Sequence, residues 1–179
     1  MIEQSLTIEQ INRLEQPQFV AALGFVFEQS PWIAAETWQA RPFADLRQLH
    51  AAMCAMMRGA SIQQQIALIR AHPDLAGKAA IAGTLTAEST REQASAGLNQ
   101  LTPEEFAEFT RLNEAYRDRF GFPFVICVRE QTRRSILDHF VARLEHTLER
   151  EVATALDEIA KIAWLRLCDT VAQADPARG

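Results

Sequence analysis

The chain has 179 residues, of which 48% are hydrophobic and 23% charged, and its formal net charge is -5. These proportions are typical of a globular protein and argue against disorder, and no apolar run approaches the ~20 residues of a transmembrane helix. Positive and negative side chains are interspersed, so neither a nucleic-acid partner nor a membrane is expected. A chain of this length is predicted to form a single domain over residues 1–179.

The amino-terminal residues lack the basic start and apolar core of a signal peptide, which predicts a cytoplasmic protein. Cys54, Cys127 and Cys168 lie far apart in apolar stretches and outside any Cys-x-x-Cys pair, so we interpret them as buried free thiols. The histidines show no His-x-x-x-His spacing. No metal site is therefore predicted.

Apolar residues recur at helical spacing along nearly the whole chain, which predicts an all-α fold of about eight or nine helices. Ser30 and Pro31 are typical of an N-cap and a first-position proline, and Ser61 predicts the cap of a later helix that ends near Pro73. Two apolar stripes indicate buried helix faces, namely Leu46, Leu49, Met53, Met56 and Met57, and then Ile62, Ile66 and Ile69.

A capping box predicts the next long helix. Thr102 and Glu105 flank Pro103, which predicts a helix from there to about Phe120, with Phe106, Phe109, Leu112 and Tyr116 on its buried side. A helix from Thr132 follows with Ile136, Phe140 and Leu144 on its apolar face, and then a long one through Val152, Leu156, Ile159, Ile162 and Leu167. Residues 175–179 are predicted to be frayed.

A short extended segment is predicted near residues 121–128. Gly121 and Pro123 prevent continuation of the preceding helix, and the aromatic and β-branched residues beyond them favour an extended chain. One such segment cannot form a sheet. Its backbone donors and acceptors must therefore pair with neighbouring helices, water or a ligand.

His72 is the first candidate for a functional side chain. It precedes Pro73, and a residue before proline is disfavoured in the helical region, so His72 is expected just past a helix end. An imidazole, with an ordinary pKa near ~6.5, suits proton transfer at neutral pH, although a structural hydrogen-bonding role is the alternative. His50, His139 and His146 are predicted to lie within helices as solvated or capping residues.

Ser89, Glu92 and Gln93 stand at helical i, i+3 and i+4 positions and would present hydroxyl, carboxylate and carboxamide on one face. A solvent-exposed helix is the alternative. The small residues around them, Ala87, Ala94, Ala96 and Gly97, favour a helix that lines a polar cavity. A carboxylate beside an amide suits a ligand rich in N–H and C=O groups, such as a ureide or cyclic amide.

Two basic residues are further candidates for a functional role. Arg166 lies among apolar neighbours in the last helix, so its guanidinium should have an anionic partner, either a structural carboxylate such as Glu92 or a substrate carboxylate. Lys78 could form a Schiff base, but a solvated loop lysine is the favoured interpretation. We find no phosphate-binding glycine loop or nucleophile elbow.

The chain resembles the OHCU decarboxylases, the 2-oxo-4-hydroxy-4-carboxy-5-ureidoimidazoline decarboxylases of urate degradation. The resemblance spans nearly the whole chain. Its motifs are Ser-Pro-Trp at 30–32, Arg-Pro-Phe at 41–43, His-Pro-Asp-Leu-Ala-Gly at 72–77, Glu-Gln-Ala-Ser-Ala-Gly-Leu at 92–98, Leu-Asn-x-x-Tyr at 112–116 and Phe-Gly-Phe-Pro-Phe-Val-Ile at 120–126.

The resemblance implies a helical homodimer that converts the ureidoimidazoline to (S)-allantoin without metal or organic cofactor. It implies His72 as the catalytic residue. The substrate-binding residues that it implies are Pro73, Ser89, Thr90, Arg91, Glu92, Gln93, Phe124, Val125, Ile126, Cys127, Val128 and Arg166. The alternatives are a helical ureide-binding or regulatory domain without catalysis, and a cofactor-free hydrolase or isomerase acting on a related ureide.

Overall fold

The computed structural model describes residues 6–172 of the chain. Within that range the secondary structure consists of ten α-helices and two short 3-10 helices, and the β structure is limited to an isolated bridge between Leu6 and Val171. The all-α prediction is confirmed. The predicted number of helices is slightly low, because the shortest helices span 5 and 6 residues and are too short to show an apolar period.

The helices follow one another in this order: α1 (Ile8–Arg13), α2 (Gln16–Leu23), α3 (Trp32–Thr37), α4 (Leu46–Gly59), α5 (Ile62–Ala71), α6 (Lys78–Ala82), α7 (Ala87–Ser95), α8 (Pro103–Phe120), α9 (Arg133–Arg143) and α10 (Leu148–Thr170). The 3-10 helices are Trp38–Ala40, directly after α3, and Val128–Glu130, between α8 and α9.

The chain divides into two compact units. The first comprises residues up to Leu68 together with those from Ala160 onward, and the second comprises Ile69–Ile159. Both boundaries fall inside helices, α5 and α10. The single domain over residues 1–179 stays a prediction, and the predicted frayed end at 175–179 lies outside the described residues.

In the first unit, α3 packs against both α2 and α4. Asp45 is the N-cap of α4, and its carboxylate accepts a hydrogen bond from the Gln48 N–H at 2.8 Å, which satisfies one free donor of the first turn. The predicted stripe of α4 is largely buried. The buried apolar side chains of this unit include Ile11, Phe19, Leu23, Phe27, Ile33, Leu49, Met53, Met57 and Leu167.

In the second unit, α8 packs against α9 and carries the predicted capping box. The Thr102 hydroxyl accepts from the Glu105 N–H at 3.2 Å, while the Glu105 carboxylate accepts from the Thr102 N–H at 2.9 Å. Gly121, with φ of 75°, ends the helix in the left-handed region that glycine tolerates. The extended segment follows, as predicted. The buried side chains of the second unit include Phe109, Leu112, Tyr116, Phe122, Phe124, Ile136 and Phe140.

Several local predictions need correction. Pro31, not Ser30, is the N-cap of α3, and no side chain caps that end. Ile62 is 50% exposed, because it lies on the first turn of α5 at the end of the predicted stripe. On α9 the buried residue after Phe140 is Arg143, and Leu144 is only half-buried, since a helix of 3.6 residues per turn brings position i+3 to the same face.

Candidate active site

His72 lies one residue beyond α5, as predicted. Its backbone N–H donates to the Ile69 carbonyl at 3.2 Å, which closes the last turn of the helix. The residue is 7% exposed, whereas Pro73 is half-buried. A buried imidazole at a helix exit stands on backbone that Pro73 holds rigid, so its position is well defined.

The predicted polar face of α7 exists. Thr86 caps this helix by accepting from the Ser89 N–H at 3.3 Å. Ser89 and Gln93 are buried and Glu92 is half-buried, which argues against a helix that is exposed all round. Thr90 and Arg91 are exposed. The guanidinium of Arg91 pairs with Glu88, with Nη2 and Oε1 3.2 Å apart.

Gln93 joins α7 to the residues that follow His72 and Pro73. Its Oε1 accepts from the Ala76 N–H at 2.9 Å, and its Nε2 donates to the Asp74 carbonyl at 3.2 Å. Both ends of the carboxamide are therefore engaged with the backbone of the protein. The sequence predicted a ligand contact for this residue, and the geometry gives it a structural contact as well.

The extended segment is buried at every position from Phe124 to Val128. Side chains supply part of its backbone hydrogen bonding. The Val125 carbonyl accepts from Nη1 of Arg143 at 2.7 Å, and the Cys127 N–H donates to Oε2 of Glu158 at 2.8 Å. The predicted need for partners is thus met in part by two charged side chains from α9 and α10.

These three segments meet within the second unit. Besides the Gln93 contacts, Nε of Arg70 donates to the Gly121 carbonyl at 2.9 Å, which ties the end of α5 to the start of the extended segment. The helix α7 also contacts the 3-10 helix Val128–Glu130 that follows the segment. The His72 turn, the polar face of α7 and residues 124–128 therefore belong to one neighbourhood.

A buried charged cluster supports the extended segment. Arg143 pairs with Glu151 through both Nε and Nη2, and the hydroxyl of Tyr116 donates to the same carboxylate oxygen. The Arg143 guanidinium also lies over the Phe124 ring, 4.3 Å from its centroid. Burial, together with the hydrogen bond to Glu151, raises the pKa of the Tyr116 phenol well above its usual range.

His146 completes this cluster and corrects a prediction. It lies between α9 and α10, not within a helix, and its Nδ1 is 2.8 Å from Oε2 of Glu151. His50 is also structural, since its Nε2 is 2.8 Å from the Ala160 carbonyl oxygen and 3.3 Å from Sγ of Cys54. His139 is exposed on α9.

Arg166 belongs to the first unit. Its Nη2 donates to Oε2 of Glu28 at 3.0 Å, and its Nη1 donates to the Phe25 carbonyl at 3.1 Å. The anionic partner that the sequence required is therefore Glu28, a buried carboxylate that sequence analysis did not identify. A contribution of Arg166 to substrate binding stays a prediction.

The predicted environments of the cysteines and Lys78 hold in part. Cys54 and Cys127 are buried as predicted, but Cys168 is only half-buried. Burial raises the pKa of the Cys54 thiol and disfavours the reactive thiolate. Lys78 is the exposed first residue of α6 rather than a loop residue. Residues 6–172 hold no cluster of three or more histidine, cysteine or acidic side chains suited to a metal ion.

Two polar residues of α8 that bond to the turn after His72 were not among the predicted site residues. Asn113 donates from Nδ2 to the Leu75 carbonyl at 2.9 Å, and Arg117 donates from Nε to Oδ1 of Asp74 at 2.8 Å. The sequence contains a signal that could identify Asn113, because this polar residue lies one turn from Phe109 on the apolar face of α8. A polar residue on an apolar stripe indicates a buried hydrogen bond.

Comparison with known proteins agrees with this architecture. A sequence model described as OHCU decarboxylase matches residues 12–168. A Halalkalicoccus jeotgali protein named 2-oxo-4-hydroxy-4-carboxy-5-ureidoimidazoline decarboxylase is 43% identical, with 90% of each chain covered. The human protein named as a putative enzyme of the same kind is 42% identical, with 97% of this chain and 99% of that one covered.

Two solved structures have related folds. One, described as (S)-allantoin synthase, has a TM-score of 0.72 at 31% identity, and the match covers 93% of this chain but 54% of that longer one. The other, an OHCU decarboxylase crystallised in the presence of (S)-allantoin, has a TM-score of 0.65 at 19% identity and covers 87% of this chain and 97% of that one. At that identity the second match concerns the fold alone.

Fold and site together define an all-helical protein with a buried histidine beside a polar helix and an extended segment. The chain belongs to the OHCU decarboxylase family. The predicted family, and with it a decarboxylase of urate degradation, is thereby confirmed at the level of the family. Within residues 6–172, no helix is both long and apolar enough to cross a lipid bilayer.

Proposed function

We propose that this chain catalyses the cofactor-independent decarboxylation of 2-oxo-4-hydroxy-4-carboxy-5-ureidoimidazoline to (S)-allantoin, with His72 as the proton-transfer residue. The observation that carries the proposal is the convergence of the His72 turn, the polar face of α7 and residues 124–128 in one unit of a chain of this family. Each segment offers groups that suit a polar, nitrogen-rich ring.

The substrate supplies its own electron sink. Its carboxylate stands on a ring carbon that also bears a hydroxyl, next to a ring C=N. When the carbon–carboxylate bond breaks, carbon dioxide leaves and the electron pair forms a C=C bond, while the imine pair moves to nitrogen, which takes a proton. The resulting enol becomes the product ketone when the hydroxyl loses its proton and the ureido-bearing carbon gains one. The net reaction consumes one proton.

In this proposal, His72 transfers one of these protons. A buried imidazole can remove the hydroxyl proton as a base or deliver a proton to the ring carbon as an acid. The two roles differ in the protonation state that they require. A base makes the rate rise with pH through the histidine pKa, and an acid makes it fall, so the pH profile of kcat/KM separates them.

Orientation is as important as proton transfer, because the uncatalysed reaction has no chiral surroundings. The half-buried Glu92 can accept two N–H groups of the ureido substituent. Ser89 and Gln93 lie on the same buried face, and the Gln93 amide can form further hydrogen bonds beside those to Ala76 and Asp74. Pro73 would border the ring, and Thr90 and Arg91 would lie at its exposed side.

The extended segment suits recognition by backbone groups. In an extended chain, neighbouring residues turn their N–H and C=O groups to opposite edges. The Val125 carbonyl and the Cys127 N–H are bonded to Arg143 and Glu158, so the peptide groups of Ile126 should face the other edge. These groups and those of Phe124 are proposed to contact the ligand, together with the N–H of Val128, whose carbonyl accepts from the Gln131 N–H at 3.0 Å in the 3-10 helix.

In the test, the two enzymes that precede the decarboxylase in urate degradation generate the unstable substrate from urate in the cuvette. Circular dichroism then follows the product. We expect rapid appearance of the dichroism of (S)-allantoin when the chain is added. Racemic allantoin formed at the spontaneous rate would contradict the proposal and favour a ureide-binding domain instead. Added chelator is expected to leave the rate unchanged.

Three wider parts of the proposal rest on the family resemblance. We propose that the chain acts as a homodimer, that it works in the cytoplasm, and that Arg166 binds an anionic group of the substrate. The molar mass in solution tests the first and cell fractionation the second. For the third, an Arg166→Lys variant should raise KM even where the protein stays folded.

A further inference from the structure

The turn that follows His72 and Pro73 is held by buried side-chain amides. We call residues 74–76 the post-histidine turn. Gln93 bonds to the backbone of Asp74 and Ala76, and Asn113 donates to the carbonyl between them, that of Leu75, at 2.9 Å. Three consecutive residues of the turn are therefore each bound by an amide from α7 or α8.

The turn has a conformation that needs such restraint. Ala76 has φ of 51°, in the left-handed region that a residue with a Cβ rarely adopts, at a cost of about 1 kcal/mol or more. The next residue, Gly77, has no room for a side chain, since an added Cβ would lie 2.7 Å from the Cβ of Asp74. A tight turn of this kind relaxes unless its backbone groups are bonded.

Asn113 is not explained by stability alone. It is 6% exposed on the apolar face of α8, and its Oδ1 is buried without a hydrogen-bond partner among the described residues. An unsatisfied buried polar atom costs about 1–3 kcal/mol, and an apolar side chain here would avoid that cost at Oδ1 but would remove the donor from the Leu75 carbonyl. The hydrogen bond from Nδ2 to the Leu75 carbonyl is the contact that the Asn113 amide makes in the structure.

We propose that Asn113 is a positioning residue for His72. Asn113 holds the post-histidine turn through the Leu75 carbonyl. Because Pro73 is rigid, the position of the turn also sets the position of the His72 imidazole, three residues before Leu75. This inference rests on the proposed function, in which His72 transfers a proton. A displacement of about 1 Å at a reacting group can lower a rate by about 100-fold, so a distant amide can control turnover.

The experiment compares Asn113→Leu, which keeps the number and branching of the side-chain heavy atoms, and Asn113→Ala, which adds no bulk, with the matched control Asn12→Leu. Asn12 also donates from Nδ2 to a backbone carbonyl, that of Phe43, at 2.8 Å, but in the first unit. We expect both Asn113 variants to lower kcat by about 10- to 100-fold with KM within about twofold. Asn12→Leu should lower the Tm and leave kcat unchanged.

A second measurement reports on the histidine itself. The imidazole resonances of His72, assigned by loss in His72→Gln, should shift in both Asn113 variants and not in Asn12→Leu. Unmoved resonances, or a kcat within twofold of the parent chain in a folded Asn113 variant, would overturn the proposal. Shifted resonances in a chain whose parent shows no decarboxylase activity would support the positioning contact while rejecting the proposed function.

Discussion

The guanidinium of Arg166 donates to the carboxylate of Glu28 across 3.0 Å, and their side chains are only 3% and 2% exposed. The two residues are 138 positions apart in the chain. A buried pair of this kind does little for net stability compared with an apolar pair, but removal of one member leaves an uncompensated charge. Within the first unit, the pair therefore links the end of α10 to the segment after α2.

Substitution of one member of this pair should be severe. We expect Arg166→Met to lower the free energy of unfolding by about 3–5 kcal/mol, because Glu28 would remain buried and charged. The double variant Arg166→Met with Glu28→Gln should recover part of that loss. Urea denaturation measures both. Equal losses in the single and double variants would show that the pair is not coupled.

Arg143 should control both stability and substrate affinity. Arg143→Met removes the donor to the Val125 carbonyl and leaves Glu151 with Tyr116 and His146 as partners. We expect a loss of about 3–5 kcal/mol in the free energy of unfolding, and a higher KM because the extended segment loosens. Chemical denaturation and initial-rate kinetics provide the two measurements.

The matched control lies on the same helix. Arg134 pairs with Asp138 at 3.2 Å, but its side chain is 85% exposed. Exposed pairs of this kind contribute about 0–1 kcal/mol, so Arg134→Met should change neither stability nor KM appreciably. An Arg143→Met variant as mildly affected as Arg134→Met would refute the supporting role of the cluster.

His72 should be essential for stereoselective turnover. We expect His72→Ala to lower kcat/KM by roughly 100- to 10,000-fold, the usual contribution of a general acid or base, while the far-ultraviolet circular dichroism stays that of the parent chain. The control is His139→Ala, since His139 is exposed on α9. Unchanged production of (S)-allantoin by His72→Ala would remove this histidine from the mechanism.

Tyr116 gives a pH prediction with a direct optical signal, because it is the one tyrosine of the chain. Its pKa is raised in the folded protein by burial, with the hydrogen bond to Glu151 acting in the same direction. A raised folded pKa contributes stability that is fully present below the unfolded phenol value, near pH ~10, and is lost as the pH rises above it.

An alkaline titration tests whether stability falls as the pH rises. Tyrosinate absorbance should stay absent above pH ~10 in the folded chain and should appear together with the loss of helical circular dichroism. A Tyr116→Phe variant should show less loss of stability over the same alkaline range. Ionisation of Tyr116 in a chain that retains its full helical signal would contradict the prediction.

Much of the fold was predictable because its signals are local. The Thr102 and Glu105 capping box closes over three residues, and Gly121 ends α8 with the backbone angle that glycine tolerates. His72 lies past a helix end because the residue before a proline is disfavoured in the helical region. Helical periodicity likewise places Ser89, Glu92 and Gln93 on one face.

Sequence patterns were sufficient to predict the ends of several long helices and the candidate residues that these helices carry. The hydrogen bonds between distant residues, such as Gln93 with Ala76, 17 residues apart, and Asn113 with Leu75, 38 apart, became known from the fold alone. A cap or a helix face depends on neighbours within one turn, whereas a buried amide or guanidinium can satisfy its hydrogen bonds with any group that packing brings near. The sequence predicted an anionic partner for Arg166, and the structure shows that this partner is Glu28.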